Sequence, residues 1–218
     1  GTYNESINFN DKAVRLYSSG GPEVTTIDGD GAYHVVQCVS GEDANTILEG
    51  FTITGGNANG VDSNSYGGGM CNYSSSPTVT NCTFSGNSAN ISGGGMYNYS
   101  NSSPTVTNCT FSGNEARGSM TNMGGGGMYN LDNSNPTLTN CTFSGNSASR
   151  DCGGMFNGDH CSPTLTNCTF INNQSYYSGA MYNNWYCSPT LTNCTFFGNK
   201  DEMVMGAGCS TPIIAVRR

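Results

Sequence analysis

Five times between residues 67 and 199 the chain repeats one pattern, seen clearly as GGGMYNYSNSSPTVTNCTFSGN over residues 93–114. Its Asn-Cys pairs stand at 81–82, 108–109, 140–141, 167–168 and 193–194, so the steps are 27, 32, 27 and 26 residues. A unit this short cannot bury a hydrophobic face alone; like units must stack on it. Within Thr-Val-Thr-Asn-Cys-Thr-Phe the apolar residues lie two and three apart, which is strand periodicity. Val106 then points inward and Thr105 and Thr107 outward, and Cys109 and Phe111 return to the interior only if Asn108 bends the chain. Asparagine tolerates the left-handed conformation that such a bend needs. A degenerate earlier copy, ILEGFTITGG, has Gly50 at the bend and Gly56 at the later Asn position. Glycine replaces Asn at both for the same backbone reason. Three short strands per turn, joined by bends, make one coil of a parallel β-helix, an all-β solenoid.

This reading makes residues 1–218 a single elongated domain of about 7–8 coils. Residues 1–56 form irregular leading coils, 67–199 five regular coils, and 200–218 a partial terminal coil. At ~4.8 Å per coil the rod is roughly 35 Å long. The 31 glycines and the Asn, Ser and Thr richness argue against a helical protein, and regular Val/Leu, Cys, Phe and Met positions argue against disorder. A net charge of -8 disfavours nucleic acid and anionic membrane as partners. No stretch approaches the ~20 apolar residues of a transmembrane segment. The chain opens at Gly1 without initiator Met or signal peptide. The expectation is therefore a piece of a longer exported protein, working outside the cell or on its surface.

Stacking predicts ladders of like residues. Met70, Met96, Met128, Met155 and Met181 line one inner wall, and Phe84, Phe111, Phe143, Phe170 and Phe196 another. Asparagines at three registers per coil, such as Asn98, Asn108 and Asn114, pass hydrogen bonds from coil to coil. The Asn108-Cys-Thr glycosylation pattern is read as accidental, because a buried bend would hide it. Of eleven cysteines, Cys82, Cys109, Cys141, Cys168 and Cys194 form a packing column. Cys161 and Cys187 share another register and are the pair expected to form a disulfide. Cys38, Cys71, Cys152 and Cys209 have no assigned partner.

The segments GGGM, GGGGM, GGM and GAM resemble the Gly-Gly-hydrophobe mark of polymorphic outer-membrane protein repeats. The segments Phe84-Ser-Gly-Asn87, Phe111-Ser-Gly-Asn114, Phe143-Ser-Gly-Asn146, Phe170-Ile-Asn-Asn173 and Phe196-Phe-Gly-Asn199 resemble their Phe-x-x-Asn mark. These repeats are right-handed parallel β-helices of the pectin-lyase-like superfamily. The resemblance spans residues 33–199 and implies a right-handed helix. The superfamily includes lyases, hydrolases, epimerases, tailspikes and adhesins, so the resemblance selects no single activity.

An enzyme on such a rod needs carboxylates or a metal cluster on an outer face. Outward strand positions of the regular coils are instead Thr, Ser, Tyr or Asn, so no catalytic residue and no metal ligand is assigned. Calcium is the one ion considered as a cofactor, without an identified ligand cluster. Binding is expected at the aromatic file Tyr97, Tyr129, Phe156 and Tyr182. It is also expected at charges in the loop after Phe-x-x-Asn, namely Glu115, Arg117, Arg150 and Asp151. That loop varies most, with ten residues before Gly67 and nine before Gly124. His34 is read as structural, and Asp159-His160 as too sparse for a metal site. The favoured function is a structural or adhesive extracellular element, assembling head-to-tail into fibres through uncapped ends. The alternatives are a carbohydrate-binding or polysaccharide-degrading β-helix, and ice binding through the Thr-x-Thr face.

Overall fold

At the first corner of each repeat the backbone turns through asparagine. Asn81, Asn108, Asn140, Asn167 and Asn193 have φ between 51° and 54°, and Gly50 takes φ 80° at the equivalent point. The turn separates Thr-Val/Leu-Thr from Thr-Phe-x and lets both runs send their middle residue inward. A computed structural model describes residues 1–120 and 122–202 and shows these runs stacked in parallel, coil on coil. Phe84 lies opposite Phe111, Phe111 opposite Phe143 and Phe143 opposite Phe170. Val106 pairs with Leu138, and Leu138 with Leu165. The fold is an all-β parallel solenoid of about seven turns.

Each regular coil has four strands rather than three. In one coil these are Met96–Tyr99, Thr105–Thr107, Thr110–Ser112 and Glu115–Ala116. Among the described residues they belong to a Met sheet of seven strands, a Thr sheet of seven, a Phe sheet of eight and an Ala sheet of six. The fourth strand has two residues, too few to show any alternation, and it is held by pairing with its neighbours, as Ala89 with Ala116 and Ala116 with Ala148. Of the partial coil expected over 200–218, Lys200–Asp201 pairs with Gln174–Ser175. Residues 203–218, including Cys209, lie outside the described residues.

The interior is a stack of ladders. Met70, Met96, Met128 and Met155 are fully buried, as are Phe84, Phe111, Phe143 and Phe170. Consecutive phenyl rings are parallel, with centroids 4.6–4.9 Å apart. The cysteine column packs beside them, each thiol donating to a carbonyl, as Cys109 does to Thr107 at 3.3 Å. Burial raises the Cys109 thiol, and the hydrogen bond with Cys141 is the main cause raising Cys168 to about 11. Hydrogen bonds instead bring Cys82 and Cys141 below their usual range.

Two asparagine ladders run through the dry interior. One passes from Asn72 through Asn98, Asn130 and Asn157 to Asn183, each Nδ2 donating to the next Oδ1 at 2.8 Å. Its first oxygen, Asn72 Oδ1, has no partner, because Cys38 occupies the register in the coil before. The second runs through Asn87, Asn114, Asn146, Asn173 and Asn199 and also takes a backbone N–H in each coil. These asparagines do not turn the chain. The left-handed residue precedes them, as Gly86 with φ 63° and Gly113 with φ 59°. Gly56, in the Asn87 register, is therefore glycine for another reason: a Cβ there would overlap the Gly68 carbonyl. The third register, Asn108–Asn140–Asn167, is bonded at 3.0 and 3.1 Å but lies exposed, so the Asn-Cys-Thr sites are on the surface and not hidden in a buried bend.

The leading coils are joined by Glu42. Its carboxylate accepts from Asp11 N at 3.0 Å, Ser40 N at 2.8 Å and Ser75 Oγ at 2.9 Å. Burial pushes the carboxyl pKa up, but these donors outweigh it and hold it below the usual value. With the folded pKa depressed, the contribution is present above the unfolded value and lost as pH falls through the folded one. Glu42→Gln is expected to cost about 1–3 kcal/mol at neutral pH. The gap from wild type should shrink in acid, as read by urea denaturation at neutral and acidic pH.

Candidate binding site on the Met sheet

In the Met-sheet strands alternate residues leave the rod. Met96 and Asn98 point inward, and Tyr97 and Tyr99 outward. The first outward column contains Cys71, Tyr97, Tyr129, Phe156 and Tyr182, in register. Its rings stack at 5.7, 4.7 and 5.6 Å. The file expected to be a surface is nevertheless covered. Tyr97, Tyr129 and Phe156 are 8%, 2% and 0% exposed, and with Cys71 and Cys152 they form a second small core outside the rod. The cover comes from the two longest loops. Tyr66 from the first packs on Tyr97 with ring centroids 4.8 Å apart, tilted 31°, and the Asn122 carbonyl from the second accepts the Tyr129 hydroxyl at 2.8 Å. Burial drives the Tyr97 and Tyr129 phenols far above their ordinary pKa, so both stay protonated.

Two of the charged loop residues, Arg150 and Asp151, hold that cover in place. Asp151 Oδ2 accepts from Met123 N at 3.1 Å, and Arg150 Nη1 donates to Ser119 O at 3.1 Å. Arg150 Nε also stands 3.5 Å from Asp151 Oδ1, an ion-pair contact without hydrogen-bond geometry. Burial raises the Asp151 carboxyl, and the donors from loop and arginine only partly offset it. Glu115 and Arg117 form an exposed pair at 2.9 Å. Cys161 and Cys187 are free thiols in the structure.

What the loops leave open is the second outward column. Tyr73 pairs with Tyr99, and Tyr99 with Leu131. The two tyrosine rings lie 5.5 Å apart, tilted 51°. They line a groove of about 580 Å³ together with Gln37 of the same sheet and Asn64 and Tyr66 of the loop. A second depression, bordered by Ser6, Tyr33 and Asn59, shares Gln37 and His34 with it. His34 is buried with Nδ1 3.0 Å from Gly67 O, which fixes that nitrogen as donor. Burial lowers its pKa despite hydrogen bonds that raise it, so the ring is neutral. Tyr73 and Tyr99 were findable in the sequence, since both stand two residues after an outward position in the same strand. Tyr66 was not, because a loop's fold-back has no local signal.

On the neighbouring side, Thr78–Thr105–Thr137–Thr164–Thr190 and Thr80–Thr107–Thr139–Thr166–Thr192 stack in register as two outward columns. Among the described residues no group of three or more His, Cys, Asp or Glu is placed to hold a metal ion, and no helix is long and apolar enough to cross a membrane.

A family profile described as a right-handed beta helix region matches residues 90–214, more than half of the chain. The protein belongs to this right-handed β-helix family. Comparison with curated proteins and with solved structures gives no match.

Proposed function

We propose that this β-helix is a non-catalytic adhesive element that binds an extended neutral glycan along the tyrosine groove of the Met sheet. The observation that carries the reading is the pair Tyr73 and Tyr99 lining one groove together with the amides of Gln37 and Asn64. Aromatic faces stack on the C–H faces of sugar rings, and amides serve hydroxyls as both donors and acceptors. The two rings stand on adjacent strands with centroids 5.5 Å apart, which suits neighbouring sugars of a chain. The net charge of -8 favours a neutral over an acidic polymer. The groove's lining includes no carboxylate, and its one histidine is already engaged by backbone, so binding fits it better than acid–base hydrolysis. The likeness of GGGM and Phe-x-x-Asn to polymorphic outer-membrane repeats supports a cell-surface setting.

Calorimetry and array binding with neutral polysaccharides test the proposal. Tyr99→Ala should weaken binding about tenfold, equivalent to ~1.4 kcal/mol. Thr137→Ala, on another face, should leave binding unchanged. Turnover of a bound polysaccharide would transfer the site to the enzymatic reading. Equal binding by wild type and Tyr99→Ala would remove the groove from it.

A further inference from the structure

A serine ladder runs along the corner between the Met and Thr sheets. Ser75 N donates to Ser102 Oγ at 3.1 Å, and Ser102 N to Ser134 Oγ at 3.1 Å. The next rung is a cysteine: Ser134 N reaches Cys161 Sγ at 3.2 Å. The rung after that is Cys187. One cysteine can stand in for serine here, as the Ser134–Cys161 contact shows. Cysteines on two adjacent coils, after three serines, create a pair.

Their alignment is fixed from both sides. Asn157 pairs with Asn183 four residues before them, and Thr164 with Thr190 three residues after. Between these registers His160 N donates to Trp185 O at 3.0 Å, and Ser188 N to Ser162 Oγ at 2.9 Å. The two cysteines therefore stand one above the other at about the strand spacing, ~4.8 Å, within the ~4.4–6.8 Å Cα range of disulfides. Cys161 is buried and Cys187 half-buried, so a small oxidant reaches the second first. In the other thiol column Cys82, Cys109, Cys141 and Cys168 are sealed inside the rod, and only the last member, Cys194, is half-buried.

We propose that Cys161 and Cys187 are an oxidisable pair that closes into a disulfide between adjacent coils. The Cys187 thiolate attacks a small-molecule disulfide, forming a mixed disulfide and releasing one thiol. The Cys161 thiolate then attacks Cys187 Sγ and expels the second thiol. The protein thus loses two electrons and two protons, and the small-molecule disulfide gains them as two thiols. Cys161 gives up the Ser134 N–H contact when its side chain turns toward Cys187. Burial raises both thiols, Cys161 to about 12, so closure is slow at neutral pH and faster in alkali. The bond would fasten the coil carrying Trp185 and Tyr186. Their left-handed φ of 38° and 61° strains this corner, where earlier coils have Asp, Asn, Ser or, at His160, histidine.

The test treats the full chain with oxidised glutathione at mildly alkaline pH, blocks residual thiols, and maps peptides by mass. The expected product is a monomer two hydrogens lighter, with Cys161 and Cys187 in one linked peptide. Proteolysis within 181–202 should slow about tenfold, since the staple suppresses local opening. Cys161→Ser, which restores the residue of the earlier rungs, should fold with the same circular dichroism and show no slowing. A stable glutathione adduct on Cys187, a linkage to another cysteine, or unchanged proteolysis of the linked protein would each overturn the proposal.

Discussion

Asn114→Ala is expected to lower the unfolding free energy by about 3–5 kcal/mol, read from urea denaturation with an unchanged m value. Asn114 is fully buried. Its Oδ1 accepts from Asn87 N at 3.0 Å and Asn87 Nδ2 at 3.1 Å, while its Nδ2 donates to Phe84 O at 2.9 Å and Asn146 Oδ1 at 3.0 Å. Alanine removes all four bonds. The Asn87 N–H then has no acceptor in a dry interior and the Phe84 carbonyl loses a donor, each worth about 1–3 kcal/mol. Asn108→Ala is the control, because the same residue type there is exposed. It loses one bond, from Asn140 Nδ2 at 3.0 Å, and places alanine at φ 53°. The expected cost is about 1–2 kcal/mol, mostly for the left-handed backbone. Equal costs at the two sites would contradict the division into interior ladder and surface corner.

Phe143→Ala is expected to cost about 3–5 kcal/mol. The ring is fully buried and lies between Phe111, 4.7 Å away, and Phe170, 4.6 Å away, nearly parallel to both. Gly127 packs so closely that a Cβ there would approach Phe143 Cδ1 to 2.7 Å. Removing the ring leaves a void between coils whose backbones are hydrogen-bonded at fixed spacing, so little collapse can fill it. Phe196→Ala, in the last regular coil where the ring is only half-buried, should cost distinctly less. The comparison is made by denaturant midpoints of the two variants.

The parts of this fold that were legible in sequence are those where one residue type answers one backbone demand. Asn108 and Gly50 share a register because few residues accept a left-handed corner, and the structure places both there. Register also transmits the inner walls, since Met, Phe and Cys recur at fixed offsets. The two glycines Gly55 and Gly56 look alike in sequence, yet one supplies φ 72° and the other makes room for a carbonyl. The Ser88–Ala89 strand escaped because two residues show no period.

The site was less legible for a different reason. Alternation tells which side of a strand Tyr129 leaves, but not what lies over it. The cover is supplied by Asn122 and fastened to Asn184, sixty-two residues further along, at 2.7 Å. Loop length did point to the right place, since the insertions before Gly67 and Gly124 carry Tyr66 and Asn122 onto the aromatic column. Arg150 and Asp151 were expected to face a ligand, and the structure places them against the inserted loop.

The stacking of like on like is tested most directly by through-space NMR contacts between phenyl rings in protein labelled at phenylalanine. Stacked coils give cross-peaks for Phe84–Phe111, Phe111–Phe143, Phe143–Phe170 and Phe170–Phe196, whose centroids are 4.6–4.9 Å apart, and none between rings two coils apart. Missing peaks between sequential rungs, or a direct Phe84–Phe143 contact, would contradict that stacking.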